Sequence, residues 1–214
     1  MTDELQSQFD HWAASYDADV TNSAAGASFP FDGYDRVLAR VVELAALEPG
    51  MEVLELGPGT GNLTARLVEA GAAVWALDFS AEMLARARAK VPAARFAQAH
   101  LLGDFPPAFR RPFDRVVSTY TFHEFPLADK LALLRRLFDD YLRPGSYAVI
   151  GDIGFPNAAA LDAIRRAAGD AWDEEYYWLL DETAMAFQDM KLVLDWQQIS
   201  RCGAVISFKA DLAL

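Results

Sequence analysis

From Tyr34 onward the chain switches between two hydrophobic periods. YDRVLARVVELAAL sets Val37, Leu38, Val41, Val42, Leu44 and Ala45 at helical spacing, which predicts an amphipathic helix ended by the Pro49-Gly50 turn. MEVLEL (51–56) is a short apolar run, the pattern of a strand buried on both faces. A helix is predicted over 61–70, with Gly71 just past its end. AVWALD (73–78) predicts the second strand, and Ser80 is placed to cap the helix AEMLARARAK. ARFAQAH (94–100) and FDRVVSTY (113–120) predict the third and fourth strands. LADKLALLRRLFDDYL (127–142) predicts an amphipathic helix stopped by Arg143-Pro144-Gly145, and SYAVIGDIG (146–154) a fifth strand. NAAALDAIRRAAG (157–169) predicts another helix, and 171–190 a helical stretch in two pieces. LVLDWQQI and AVISFKA, parted by Arg201-Cys202-Gly203, predict a terminal β-hairpin.

Strands alternate with helices over short connections. The expected class is therefore α/β, a parallel sheet with helices on both faces and an antiparallel hairpin at the end. Such sheets bind ligands outside the carboxyl ends of their strands, where the strand order reverses. The loops to inspect for chemistry follow from that. Residues 1–32 have a different character, with no strong period and with Phe9, Trp12 and Tyr16 ahead of TNSAAGASFPFDGYD. They predict a short helix near 4–16 and then a loop, an N-terminal lid on a domain spanning 33–214.

Composition narrows the partners. The 214 residues are 53% apolar and 23% charged, a globular balance. Asp and Glu outnumber Lys and Arg 31 to 19, a formal charge of -12 that disfavours a nucleic-acid backbone or an anionic membrane as partner. The one cysteine, Cys202, excludes an intrachain disulfide and a multi-Cys metal site, as expected in a reducing cytoplasm. The polar start MTDELQSQFD does not read as a signal peptide, and no 18-residue apolar run exists. A cytoplasmic monomer or homodimer is expected.

The sharpest chemistry lies where the first strand ends, at Glu55-Leu56-Gly57-Pro58-Gly59-Thr60-Gly61-Asn62. Glycines at 57, 59 and 61 allow a tight turn and close ligand approach. Pro58 cannot donate a hydrogen bond, so it serves as a shaped wall and not as a phosphate cradle. Glu55 ends a buried strand, where a carboxylate needs a partner, either within the protein or on a ligand ammonium. Asp78 ends the second strand, where a carboxylate can accept both hydroxyls of a ribose. Its internal alternative is to cap the next helix beside Ser80.

VLELGPGTGNLT followed by ALDFSAEMLARARAK resembles the first two motifs of class I S-adenosylmethionine-dependent methyltransferases. FDHWAASYD and VVSTYTFHEF resemble a narrower set of small bacterial methyltransferases without an assigned acceptor. The resemblance covers about 35–210 and implies a Rossmann-like, seven-stranded, mostly parallel sheet with S-adenosyl-L-methionine as cofactor. It implies cofactor contacts at Gly57, Pro58, Gly59, Gly61 and Asp78, and further ones at Glu55 and Phe79. The family often has Gly-Asp after the third strand, the Asp taking the adenine amino group. Here Ala99-His100 stands at that place, so His100 with Leu101, or the nearby Asp104, would border the adenine.

On the acceptor side, His123 follows the fourth strand and is the candidate general base. Tyr16 and Tyr120 would frame the sulfonium. His11, His100 and His123 show no metal-ligand spacing, so no metal is expected. EEYYWLL (174–180) reads as either an acceptor wall or packing against the sheet. The Asn-Pro-Pro-Tyr pattern of nucleic-acid or glutamine amino methylation is absent, since 118–121 reads Ser-Thr-Tyr-Thr. A small-molecule acceptor is the simplest expectation. Alternatives are a non-catalytic cofactor-binding sensor, an aminopropyl transferase and, less compatible with G-x-G-x-G, an NAD-dependent oxidoreductase.

Overall fold

A computed structural model describes residues 3–26, 28–187 and 190–210. Eight strands alternate with helices: β1 (Glu52–Leu56), β2 (Ala73–Asp78), β3 (Arg95–Gln98), β4 (Phe113–Thr119), β5 (Leu142–Phe155), β6 (Trp178–Leu179), β7 (Leu192–Gln198) and β8 (Gly203–Ala210). The helices are α1 (Asp3–Trp12), α2 (Tyr16–Ala25), α3 (Tyr34–Ala45), α4 (Asn62–Glu69), α5 (Ala81–Lys90), α6 (Leu127–Arg136), α7 (Ala158–Ala168) and α8 (Leu180–Ala186). The sheet order is β3-β2-β1-β4-β5-β8-β7. β1 to β5 are parallel, and the β7–β8 hairpin adds to β5 with β8 antiparallel. The seven expected strands are all present. The two-residue β6, which pairs with the end of β5, is additional.

Both faces of the central strands β1, β2 and β4 are largely buried, because their successive residues point to opposite sides of the sheet and are mostly apolar on both. Leu54, Leu56, Leu77, Val116 and Ile150 pack with Leu133 and Leu134 of α6. Val53, Val74, Ala76, Val117 and Val149 pack with Val37, Leu38 and Val41 of α3 and Leu63 and Leu67 of α4. Ser80 caps α5 as expected, its hydroxyl accepting from Met83 N–H.

Three expectations change. Residues 16–25, expected as loop, form α2; its first turn is held by Asp17, which accepts from Thr60 Oγ1 at 2.6 Å and pairs with Lys90 at 2.8 Å. Tertiary contacts outweigh the weak helix propensity of Thr21, Asn22 and Ser23. The helix expected to run to 142 leaves α geometry after Arg136, passes through a single π turn, and the strand begins at Leu142. Of the described residues of 171–190, α8, the end of a 3-10 turn at Gly169–Ala171 and Met190, in 3-10 geometry, are helical, while 172–177 is irregular. Residues 188 and 189 of that stretch lie outside the described residues. Among the described residues no helix is long and apolar enough to cross a membrane.

Candidate active site

The strand order reverses between β1 and β4, and the loops leaving these strands meet there. Gly57, at φ 67°, donates its N–H to Leu77 O at 2.8 Å. A Cβ at this position would stand 2.1 Å from Thr121 Oγ1, whose hydroxyl donates to Gly57 O at 3.3 Å. Only glycine lets the loop after β1 pass so close to the loop after β4. Gly59, at φ 53°, has nothing within 4 Å of where a Cβ would point, so its backbone borders open space. Gly61 opens α4 and packs against Ala87 instead.

Asp78 closes the other side of this cradle. Its Oδ2 accepts from Gly59 N–H at 3.0 Å and its Oδ1 from Ser80 N–H at 2.9 Å, so one buried carboxylate ties the glycine loop to the start of α5. Burial pushes the carboxyl up to about 6, against the pull of those backbone donors. A carboxylate offers about four acceptor sites, so two remain for ribose hydroxyls. The two readings of Asp78, ribose acceptor and internal anchor, are therefore compatible.

Glu55 is buried behind the loop. Its Oε2 accepts from Thr64 Oγ1 at 2.6 Å and its Oε1 has no partner. Burial pushes its carboxyl up to about 8, with the Thr64 hydroxyl opposing and Asp78 adding. Between the unfolded value near 4.5 and about 8 the folded chain holds more protons than the unfolded one, so this residue makes stability fall as pH rises through that window. Glu55→Gln is expected to match the parent in thermal unfolding at pH 4.5 and to unfold at a higher temperature at pH 8.5. An equal pH dependence in both proteins would remove this account of Glu55.

A cavity of about 820 Å³ extends from Gly57, Pro58, Gly59 and Asp78 past Phe79 and Leu101 to Tyr120, His123, Glu124 and Glu175. Gln8, Phe9, Trp12 and Tyr16 of the N-terminal helices form part of its wall. Glu55, Gly61, His100 and Asp104 are not among its lining residues. Asp104 pairs with Arg110 at 3.6 Å on the surface, and His100 Nε2 is buried without a partner. Thus Leu101, and neither adenine candidate, reaches the cavity.

The N-terminal aromatics join this wall to the sheet. Phe9 packs edge-on against Phe79 at 5.2 Å, and Trp12 meets Tyr16 at 4.7 Å. Asp10 accepts from Ser80 Oγ at 2.5 Å, which fixes α1 to the start of α5. Tyr120 takes φ 50°, a conformation unusual for a non-glycine residue, and stacks on Tyr34 at 5.1 Å. Its hydroxyl is buried without a partner. His11 lies outside the site, with Nδ1 2.6 Å from Ser7 O on an exposed helix face.

His123 lies in the short turn after β4, and its Nδ1 is 2.6 Å from Asp152 Oδ1 of β5. Asp152 is fully buried and also accepts from Trp178 Nε1 at 3.0 Å and Ile153 N–H at 2.9 Å. His123 Nε2 faces Glu124 and Glu175, each 3.8 Å away. Burial works against the charged ring, but Asp152, Glu175 and Glu124 outweigh it and push His123 up to about 9. At neutral pH the ring therefore carries its proton, whereas a general base must start neutral. Sequence reasoning missed Asp152. It read EEYYWLL as either an acceptor wall or sheet packing; the structure divides that segment between the two, with Glu175 on the cavity and Trp178 packed under the sheet.

A glycine cradle and an acidic residue at the switch point of a parallel sheet, opening into one shared cavity, define the ligand site of a Rossmann-like α/β domain. Residues 53–145 match the methyltransferase domain family. The chain is 32% identical over 211 residues to an uncharacterized methyltransferase of Oceanobacillus iheyensis, with 94% of this chain and 95% of that one covered. It is 33% identical over 177 residues to the uncharacterized methyltransferase YrrT of Bacillus subtilis, covering 81% and 78%. The fold is similar to a DhpI complex with S-adenosylhomocysteine, at TM-score 0.69 and 20% identity, with 97% of this chain and 95% of that one covered. It is also similar to the magnesium protoporphyrin IX methyltransferase of Synechocystis, at TM-score 0.66 and 18% identity, covering 83% and 84%. The chain belongs to the S-adenosylmethionine-dependent methyltransferases, enzymes of class I architecture. Its own residues fit that cofactor: Gly59 leaves open space beside Asp78, and the described cavity wall carries five carboxylates, Asp19, Asp78, Glu124, Asp173 and Glu175, against the one cationic ring of His123.

Proposed function

We propose that the chain methylates a small-molecule acceptor bound at the end of the cavity bordered by Tyr120, His123 and Glu175. The observation that carries this reading is the single cavity of about 820 Å³ that joins the cofactor cradle to that end. Ligand cavities run to roughly 1,000 Å³, so this one leaves room for a second small molecule beside the cofactor. When bound, the cofactor supplies a methyl group already activated on a sulfonium. The protein's own part is then position and exclusion of water.

Asp78 and the Gly59 backbone hold the ribose end, with Phe79 and Leu101 alongside. Glu55, buried behind the loop with Oε1 unpartnered, lies outside the cavity wall and would act on the cofactor only through the loop it supports. Tyr16 and Tyr120 offer ring faces toward developing or resident positive charge. The Tyr120 hydroxyl, costly while unpaired, gains a partner when an acceptor with a polar group enters. His123 is held by Asp152 at Nδ1 and presents Nε2 to the acceptor. Charged at neutral pH, it acts there as a hydrogen-bond donor and takes up a proton only after releasing its own.

The described residues between 3 and 32 form the lid in this reading, with α1 and α2 latched by Asp10 to Ser80 and by Asp17 to Lys90. The exposed Asp17–Lys90 pair contributes at most about 1 kcal/mol, so the latch can open. Removing residues 1–15 is expected to cut turnover at least a hundredfold while cooperative thermal unfolding persists. Full activity of the truncated chain would sink the lid. The acceptor itself is tested by measuring S-adenosylhomocysteine release over a panel of small amines, thiols, phenols and carboxylates, with protein and nucleic acid as comparators. Turnover on a small molecule supports the reading; turnover confined to macromolecules overturns it.

A further inference from the structure

Three donors from two segments of the chain converge at the acceptor end. His123 Nε2 lies 3.8 Å from Glu124 Oε1 and 3.8 Å from Glu175 Oε2, and the three donor atoms lie within 4.8 Å of one another. Ligands that share one ion at 2.0–2.2 Å stand roughly 3–4.4 Å apart, so small side-chain torsions bring all three onto a single cation. All three residues line the cavity, which leaves the remaining coordination positions open to a ligand from that side.

The convergence is built by the fold. Tyr176 N–H donates to His123 O at 2.9 Å, and Lys130 Nζ donates to Tyr176 O, so backbone ties hold Glu175 opposite His123. The turn carrying His123 and Glu124 is wedged by Phe122, which stacks on Trp178 at 6.0 Å. Asp152 Oδ1 fixes Nδ1 at 2.6 Å, and Trp178 Nε1 fixes Asp152. A carboxylate behind the far nitrogen of a ligating imidazole is the recurrent support of metal-bound histidine.

We propose that His123, Glu124 and Glu175 form a binding site for a first-row divalent transition metal, oriented by Asp152. One imidazole with two carboxylates suits Zn²⁺, Mn²⁺ or Fe²⁺ better than Mg²⁺ or Ca²⁺, which prefer all-oxygen sets. No motif spacing along the chain announced this site, because Glu175 arrives from the irregular segment after α7. In use, the ion would replace the proton on His123 Nε2 and hold an oxygen or nitrogen of the acceptor in place of that ring N–H. That use rests on the proposed methylation of a small molecule, whereas the site itself does not.

The test is calorimetric titration of the full chain, first stripped with a chelator, with Zn²⁺ alone and Mn²⁺ alone, without cofactor or acceptor. One Zn²⁺ site per chain is expected. Glu175→Gln and His123→Asn should weaken it at least tenfold, and Asp152→Asn by about 10–100-fold. Asp195→Asn, on exposed β7, should leave it unchanged. Thermal unfolding checks each variant, and Glu175→Gln, in an irregular segment, carries the test if His123→Asn does not fold. Absence of binding by both ions, or equal affinity in Glu175→Gln, overturns the proposal. Metal bound with no small molecule methylated would leave this site standing and overturn the proposed function instead.

Discussion

Replacing His123 with asparagine is expected to lower kcat by about 10²–10³ while cofactor affinity stays within twofold of the parent. The asymmetry follows from where the ring sits. His123 touches Asp152, Glu124 and Glu175 at the acceptor end, whereas Asp78 and Gly59 at the cofactor end make no contact with it. Asparagine keeps an amide donor for the buried Asp152 but has no group that reaches Nε2. Alanine would also strand the Asp152 charge, and leaving such a charge unpaired costs about 3–5 kcal/mol of stability. Steady-state turnover paired with calorimetry of the cofactor checks the split. Unchanged kcat in a folded His123→Asn chain would take the ring out of the reaction, and a parallel loss of cofactor affinity would show that the two ends of the cavity are not separate.

The second large effect is expected at Asp78. Its carboxylate accepts from Gly59 and Ser80 backbone N–H groups, and in the proposed reading it offers its remaining lone pairs to the ribose. Each hydrogen bond to a charged acceptor is worth about 1.5–3 kcal/mol, so Asp78→Ala should lower S-adenosylmethionine affinity at least tenfold. Asp78→Asn keeps one acceptor oxygen and should lose less. The residue also carries a pH signature. Burial pushes Asp78 up to about 6, so acidification through that value protonates the group the ribose needs, and affinity should fall as pH drops below about 6. In Asp78→Asn this fall should vanish. Calorimetry between pH 5 and pH 8 reads both effects; a pH-independent affinity in the parent would remove Asp78 from the ribose site.

The parts of the molecule legible in the sequence are those written in local patterns. The buried runs at 51–56 and 73–78, the glycine loop and the Ser80 cap each depend on residues a few positions apart, and all of them form as expected. α2 was illegible because it buries only Val20, and what orders its first turn is Asp17 reaching Thr60 and Lys90 across the fold. Glu124 was adjacent to His123 in plain sight, but its meaning depends on Asp152 and Glu175. Those two arrive from β5 and from an irregular segment whose aromatic residues imitate a helical stripe. On the adenine side the turn after β3 presents Leu101 to the cavity, while His100 beside it is not on the cavity wall.

The central claim is that one cavity holds the cofactor at Asp78 and leaves its other end, at His123 and Glu175, for a small acceptor. A crystal structure of the chain with S-adenosylhomocysteine tests it most directly. The expected result is ribose hydroxyls on Asp78, the sulfur turned toward Tyr120, and open volume between that sulfur and His123. S-adenosylhomocysteine bound away from Asp78, or a product complex with the space beside His123 filled by protein side chains, would contradict the account.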